Sequence, residues 1–313
     1  MDVLLLSAGG LVGTYLIKHF KEIREDFRII ATDMSEMVPA KYLADAFFTV
    51  PATSDSGYVD AINEIISACN PKVIIPITSY DVLAFAADPL YCRYYNRMLI
   101  MNEEQNRILH QKRTSYDLLR SIGVLVPKVL GERELVFPCV LKPNVGTGSK
   151  NTYIINDKLD YDYWSKRVKD FILCEYLPGE EYTVDCLFDR NGKCLGSNAR
   201  KRIKQVGGGA VISQNAPSES IMTVIEKLEN LGWIVGPANF QYKKNMHGEP
   251  IVFDFNTRLA SGGLALTVKS GFDIPMNMIE IISGNHVQNW RNTDENTSNL
   301  MMIRYYEEMF VDD

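Results

Sequence analysis

No stretch of the sequence approaches the ~18 apolar residues that a membrane-spanning helix needs. The opening Met-Asp-Val-Leu-Leu-Leu-Ser lacks the basic start and long apolar core of a signal peptide. Together these absences predict a cytoplasmic protein. Histidine is scarce: the four present, His19, His110, His247 and His286, lie far apart and leave little material for a histidine-centred metal site or triad. The six cysteines include no CxxC pair and no histidine at zinc spacing. Several sit in apolar runs such as Phe137-Pro-Cys-Val-Leu141, so they read as small buried hydrophobes in a reducing compartment. Positive charge is also in deficit, with a net charge of −6. That lacks the basic footprint of a nucleic-acid binder, so neither nucleic acid nor membrane is expected as a partner. No internal repeat or low-complexity segment is evident.

What is present is an ordinary globular composition, 46% apolar and 23% charged, over 313 residues. That length suits two or three domains. The first third alternates short apolar strands, over residues 3–6, 28–31, 47–50 and 71–77, with helices, one of them over 58–69. This pattern means a parallel sheet with crossover helices, a Rossmann-like domain over residues 1–100. The turn Ser7-Ala-Gly-Gly-Leu-Val-Gly13 follows the first strand and opens a helix, and Asp33 ends the second strand. Such a turn is close to a dinucleotide fingerprint, which would suit a nicotinamide-dependent oxidoreductase. It serves equally to pack a helix tightly on a strand or to bind a substrate.

Residues 101–313 read differently, as α+β with antiparallel sheets. A helical stretch over 102–121 is stopped by Gly123, and strands are expected over 140–142, 153–155, 172–175, 182–189 and 193–197. Asp189-Arg-Asn-Gly192 is a hairpin turn, because Asn-Gly accepts the positive φ such turns require. A second hairpin joins 239–242 to 251–255 through Asn245-Met-His-Gly248.

Four segments here bear on chemistry. His110-Gln-Lys-Arg-Thr114 puts Lys112 on a helix. In Val140-Leu-Lys-Pro-Asn-Val-Gly-Thr-Gly-Ser-Lys150, Lys142 ends a strand before a glycine-rich turn whose backbone N–H groups can cradle phosphate oxygens. Ile172-Leu-Cys-Glu-Tyr-Leu-Pro-Gly-Glu-Glu-Tyr182 is a strand-to-strand hinge that can offer backbone groups and carboxylates to an adenine edge and a ribose. In the fourth, Gln241 precedes Ile251-Val-Phe-Asp-Phe-Asn-Thr-Arg258. Alternation puts Asp254, Asn256 and Arg258 on one strand face with Val252 before them. Polar groups there are unfavourable unless they bind something, and one carboxylate with two amide oxygens suits Mg²⁺.

In this order the four segments resemble the ATP-grasp superfamily, nearest its carbamoyl-phosphate-synthetase-like carboxylate–amine ligases, over residues 1–280. The resemblance implies a Rossmann-like pre-ATP-grasp domain (1–100) and an ATP-grasp domain (101–313) whose lid subdomain spans 114–176. ATP would lie between two α+β subdomains. It implies that Lys112 and Lys142 contact ATP phosphates and that Gly146, Gly148 and Ser149 belong to a phosphate lid over 146–149. Glu175, Tyr176 and Leu177 would line the adenine site, and Glu181 would hold the ribose. Gln241, Asp254 and Asn256 match the metal ligands, for Mg²⁺ or Mn²⁺, and Arg258 matches the arginine that steadies an acyl-phosphate. Two departures stand out. Asp254 replaces the commoner glutamate and reaches a methylene less far, and Gln241 removes a charge, so the motif does not fix one metal ion or two.

The implied activity joins a small carboxylate to an amine at the expense of ATP, with a homodimer compatible with the pattern. Two other readings stay open, an ATP-binding regulatory or carbamoyl-phosphate-synthetase-like subunit acting with a partner, and the oxidoreductase above. Arg200-Lys-Arg-Ile-Lys-Gln-Val-Gly-Gly-Gly-Ala210 is the densest basic cluster. It is expected to be a mobile substrate loop whose cations, Lys204 among them, meet the substrate carboxylate or the phosphates. Leu259-Ala-Ser-Gly-Gly-Leu264 opens a helix and offers a second anion site.

Overall fold

The computed structural model describes residues 1–87, 90–131, 133–146, 148–290 and 299–311. Four strands, β1 (Asp2–Leu6), β2 (Arg28–Asp33), β3 (Ala46–Thr49) and β4 (Val73–Pro76), form a wholly parallel sheet in the order β3-β2-β1-β4. The central strand β1 is buried from Val3 onward, as a strand covered on both faces must be. Helix Leu11–Ile23 buries Val12, Leu16, Ile17 and Phe20 at helical spacing, and Tyr58–Cys69 does the same with Ile62, Ile65 and Ile66.

The glycine turn is a packing device. A Cβ on Gly13 would stand 2.1 Å from the Ala8 carbonyl oxygen, so only glycine lets this helix start so near the strand. Both carboxylate oxygens of Asp33 are engaged within the turn region. Oδ2 accepts from Gly9 N at 2.7 Å and Oδ1 from Ser35 N at 3.1 Å. A ribose would have to displace those bonds.

A small antiparallel sheet follows, β5 (Cys139–Pro143), β6 (Tyr153–Ile155) and β7 (Phe171–Glu175), in the order β6-β5-β7. The large sheet contains β8 (Tyr182–Phe188), β9 (Cys194–Val206), β10 (Gly209–Asn215), β11 (Gly236–Lys244), β12 (Pro250–Asn256) and β13 (Met301–Ile303). Its order is β12-β11-β8-β9-β10-β13, antiparallel throughout. Helix Glu219–Glu229 packs Ile221, Val224, Ile225 and Leu228 into the core on one face of this sheet.

Two expectations need correction. The helical stretch over 102–121 is two helices, Glu103–His110 and Lys112–Ser121, broken at the extended Gln111. The break has a cause at the end of β5. The Asn144 carbonyl accepts from Lys112 N at 2.9 Å, and its side chain accepts from Arg113 N at 3.0 Å. The basic segment 200–210 is not a loop but the arms of a hairpin, β9 and β10, turning at Gly207 and Gly208 with φ of 56° and 76°. Its alternate arginines face inward onto carboxylates while Lys201 and Ile203 point the other way, so strand pairing wins over solvation.

The halves are not separate cores. One apolar cluster joins Val3, Leu5 and Ile29 of the parallel sheet to Leu187, Leu195 and Phe272 of the C-terminal half. The cysteines are free, with Cys139, Cys174 and Cys186 buried. Among the described residues, no helix is long and apolar enough to cross a membrane.

Candidate functional site

A cleft of about 260 Å³ separates the small sheet from the large one. Val140, Lys142 and Ile154 come from one wall, Gln241, Phe253 and Asp254 from the other. The hinge Glu175–Leu177 closes one end. A smaller, polar pocket of about 60 Å³ adjoins it and shares Gly148, Ser149, Gln241 and Asp254.

Lys142 is the buried centre of the cleft, only 7% exposed. Its ammonium donates to Tyr116 Oη at 2.6 Å and to the Phe253 carbonyl at 3.0 Å. Tyr116 in turn donates to the same carbonyl at 2.6 Å. Burial pushes the lysine pKa below its ordinary value, with Cys174 and Asp254 opposing. Burial likewise drives the Tyr116 phenol far up, which keeps it a hydrogen-bond donor. Lys112, first residue of its helix, places Nζ 3.4 Å from the Gly146 carbonyl oxygen and 3.8 Å from Asp254 Oδ1. It therefore spans from the glycine turn to the opposite wall.

On the large sheet Gln241 faces Asp254 and Asn239 faces Asn256 across β11 and β12. Strict alternation along β12 fails at one point. A register shift between the Gln241 and Tyr242 pairs inserts an extra residue, so Val252 and Phe255 both enter the core while Phe253 and Asp254 both line the cleft. Val252 is thus not on the Asp254 face. Asn256 Nδ2 donates to Asp254 Oδ2 at 3.1 Å. Arg258 donates through Nε to Ser79 Oγ at 3.1 Å and through Nη1 to the Leu259 carbonyl at 2.7 Å. Burial lowers its pKa and Asp254 partly offsets this.

The hinge carboxylates are already occupied. Glu175 Oε1 accepts from Lys128 N at 2.8 Å, bracing the hinge. The Leu177 carbonyl accepts from Lys243 Nζ at 2.9 Å. Glu181 pairs with Arg202 Nη1 at 2.7 Å. Most of the residues singled out in the sequence therefore meet at one cleft and its side pocket. Thr147, inside the 146–149 turn, lies outside the described residues. Lys204 is not brought in, being exposed on the outer part of β9 and lining neither cavity.

Four participants were not singled out beforehand. Tyr116 lies one helical turn past Lys112, and Lys243 lies two past Gln241 on the same strand face, so spacing carried both signals. Phe253 is turned inward only by the bulge. Ser79 comes from the parallel-sheet half, and nothing local in the sequence links it to Arg258.

As a cation site, the donor set is oxygen-based and poor in charge, one carboxylate with the amides of Gln241 and Asn256. Among the described residues no three His, Cys, Asp or Glu side chains gather at any point. Such a set fits Mg²⁺ that shares its shell with polyphosphate oxygens, and fits poorly an ion held by the protein alone.

Comparison with known proteins bears on the family and the fold. The model of a family described as "ATP-grasp in the biosynthetic pathway with Ter operon" matches residues 167–306. A model described as "PylC-like, N-terminal domain" matches residues 3–88. An L-arginine-specific L-amino acid ligase of Bacillus subtilis is 25% identical over 165 residues, covering 47% of this chain and 40% of that protein. The match thus spans two fifths of that relative's length. The biotin carboxylase domain of the 2-oxoglutarate carboxylase of Hydrogenobacter thermophilus, solved with MgADP, ADP and bicarbonate, superposes with a TM-score of 0.73. It is 16% identical and covers 95% of this chain and 72% of that one. An L-amino acid ligase from Bacillus licheniformis gives 0.68 at 13% identity, over 90% and 74% of the two chains. At these identities the two structures speak for the fold.

Proposed function

Because the chain is an ATP-grasp protein, we propose that it is an ADP-forming ligase that joins a small carboxylate to an amine. In this reading a substrate carboxylate oxygen attacks the γ-phosphorus of ATP, the bond to the β–γ bridging oxygen breaks, and ADP leaves. The amine then attacks the acyl carbon, loses a proton, and expels phosphate as the amide forms. Phosphoryl transfer of this kind needs charge neutralisation and in-line placement more than a nucleophilic side chain.

The chain's own groups divide the work. Lys142 and Lys112 neutralise phosphate oxygens, and the glycine turn covers them. The cleft wall of Val140, Ile154 and Phe253 holds the base, with the hinge backbone along its edge. Arg258, held by Ser79 and the Leu259 carbonyl, presents its remaining nitrogen to the carboxylate or acyl-phosphate. Gln241, Asp254 and Asn256 would hold Mg²⁺, or Mn²⁺ as a working substitute, which supplies charge neutralisation at the phosphates when bound.

The observation that carries the reading is the in-register pairing of Gln241 with Asp254 directly across from Lys112 and Lys142. The test has two stages. ATP·Mg²⁺ should raise the melting temperature where NAD⁺ and NADP⁺ do not, since only a ligand of the native state stabilises it. ADP release should then appear in a screen of carboxylates crossed with amines. Stabilisation by NAD⁺ alone, or ATP turnover indifferent to every acid and amine, would refute it.

A further inference from the structure

The side pocket next to Asp254 holds three arginines, and each leaves one guanidinium nitrogen without a partner among the described residues. Arg200 gives Nε and Nη2 to Asp185, at 2.9 and 3.1 Å, and leaves Nη1. Arg202 gives Nη1 to Glu181 and Nη2 to the Gly208 carbonyl, and its Nε is buried with no acceptor. Arg258 gives Nε and Nη1 to Ser79 and Leu259, and leaves Nη2. Arg200 and Arg202 are 2% and 7% exposed, so neither position is a solvated surface charge. Arg202 Nε is a buried donor without an acceptor, which is unfavourable, and with the spare nitrogens of Arg200 and Arg258 at the same pocket it points to an anion that completes them.

The rest of the lining narrows the chemistry. Among the described lining residues, Ala210 and Ala260 are the only non-glycine side chains without a polar group, and Asp254 is the only carboxylate. An apolar substituent would find no matching surface. Arg200 and Arg202 alternate on β9, so they share a face with Cα atoms about 7 Å apart. Asp185, which also accepts from Thr267 Oγ1, fixes Arg200 from behind. The proposed chemistry needs Arg258 at the reacting carboxylate, and the β9 pair is surplus to it.

We propose that Arg200 and Arg202 form a subsite for a second anionic group, a carboxylate or phosphate, carried by one of the two substrates besides the carboxylate that is activated. The inference rests on the ligase reading and adds a substrate class to it: small, hydrophilic and doubly functional.

The test compares matched pairs that differ by one anionic group. Butyrate against succinate and propionate against malonate probe the acid, while methylamine against glycine and ethylamine against β-alanine probe the amine. Binding is read as thermal stabilisation in the presence of ADP·Mg²⁺, so turnover is not required. In at least one pair the member with the extra anion should bind at least about tenfold tighter, the scale of one charge-assisted contact. Arg202→Gln should bring that ratio close to one, and Arg202→Lys, which keeps the charge but lacks Nε, should leave an intermediate ratio. A preference confined to the acid pairs places the second anion on the acid, and one confined to the amine pairs places it on the amine. The inference is overturned if no pair is distinguished, if an apolar monoanion binds tightest, or if both variants keep the wild-type ratio. Failure of ADP·Mg²⁺ itself to stabilise the protein would instead strike the ligase reading, and the pairs can still be compared without nucleotide.

Discussion

Lys142 shows what a single buried cation does to this protein. Its pKa lies below that of an ordinary lysine, about 10.4, because desolvation outweighs the attraction of Cys174 and Asp254. Between the lowered and the ordinary value the unfolded chain binds more protons than the native one, so this residue makes stability rise with pH across that window. Below the window its penalty is constant. Lys142→Met should therefore match or exceed the wild-type melting temperature near neutral pH without ligand, with the difference shrinking as pH rises toward 10. On the proposed role of Lys142 at the phosphates, the same variant should lose stabilisation by ATP·Mg²⁺, and turnover should fall at least about a hundredfold. A ligand-free variant that melts well below wild type would mean the lysine is a structural strut. Asp254→Asn should leave ligand-free melting near wild type and weaken Mg²⁺-dependent nucleotide binding, because an amide offsets less cation charge than a carboxylate. Titration of Mg²⁺ against nucleotide-induced stabilisation checks this, and an unchanged midpoint counts against Asp254 as a ligand.

Among the elements, the hairpin of β9 and β10 meets the glycine turn of the small sheet backbone to backbone. A Cβ on Gly208 would stand 2.4 Å from the Gly148 carbonyl carbon, at a φ of 76° that already disfavours any side chain. Gly208→Ala should hold the turn away from the cleft and raise the apparent KM for ATP several-fold while the fold persists, a ground-state binding loss. Steady-state kinetics at saturating acid and amine give the measurement, and an unchanged KM would mean the contact has no part in nucleotide binding. Legibility differs sharply between such elements. The parallel sheet, the strand carrying Lys142 and the hairpin at Asn245–Gly248 follow from local periodicity and turn chemistry. The inward face of β9 did not, because Arg200 and Arg202 look solvated until Asp185 and Glu181, which are distant in sequence, come opposite them. The bulge in β12 is equally invisible, since Val252 and Phe255 obey two different alternations in one short strand.

At the scale of the whole molecule, Phe272 lies fully buried in the cluster that also holds Val3 and Leu187, and it stacks on Trp290 with ring centroids 4.9 Å apart. Phe272→Ala should cost about 3–5 kcal/mol and shift one cooperative melting transition, because the cavity opens in a core common to both halves. Two separate transitions in calorimetry would show that the halves melt independently. The sequence marked a boundary near residue 100 through its change of pattern, yet carried no sign of this common core. Apolar residues announce that they are buried without announcing against what. The bond from Arg258 to Ser79 extends the same union to the polar end of the cleft. Anyone grafting the C-terminal half onto a foreign N-terminal module would thus inherit the cleft with Arg258 held by the Leu259 carbonyl alone, and would have to rebuild a hydroxyl at that spot before testing the proposed ligation.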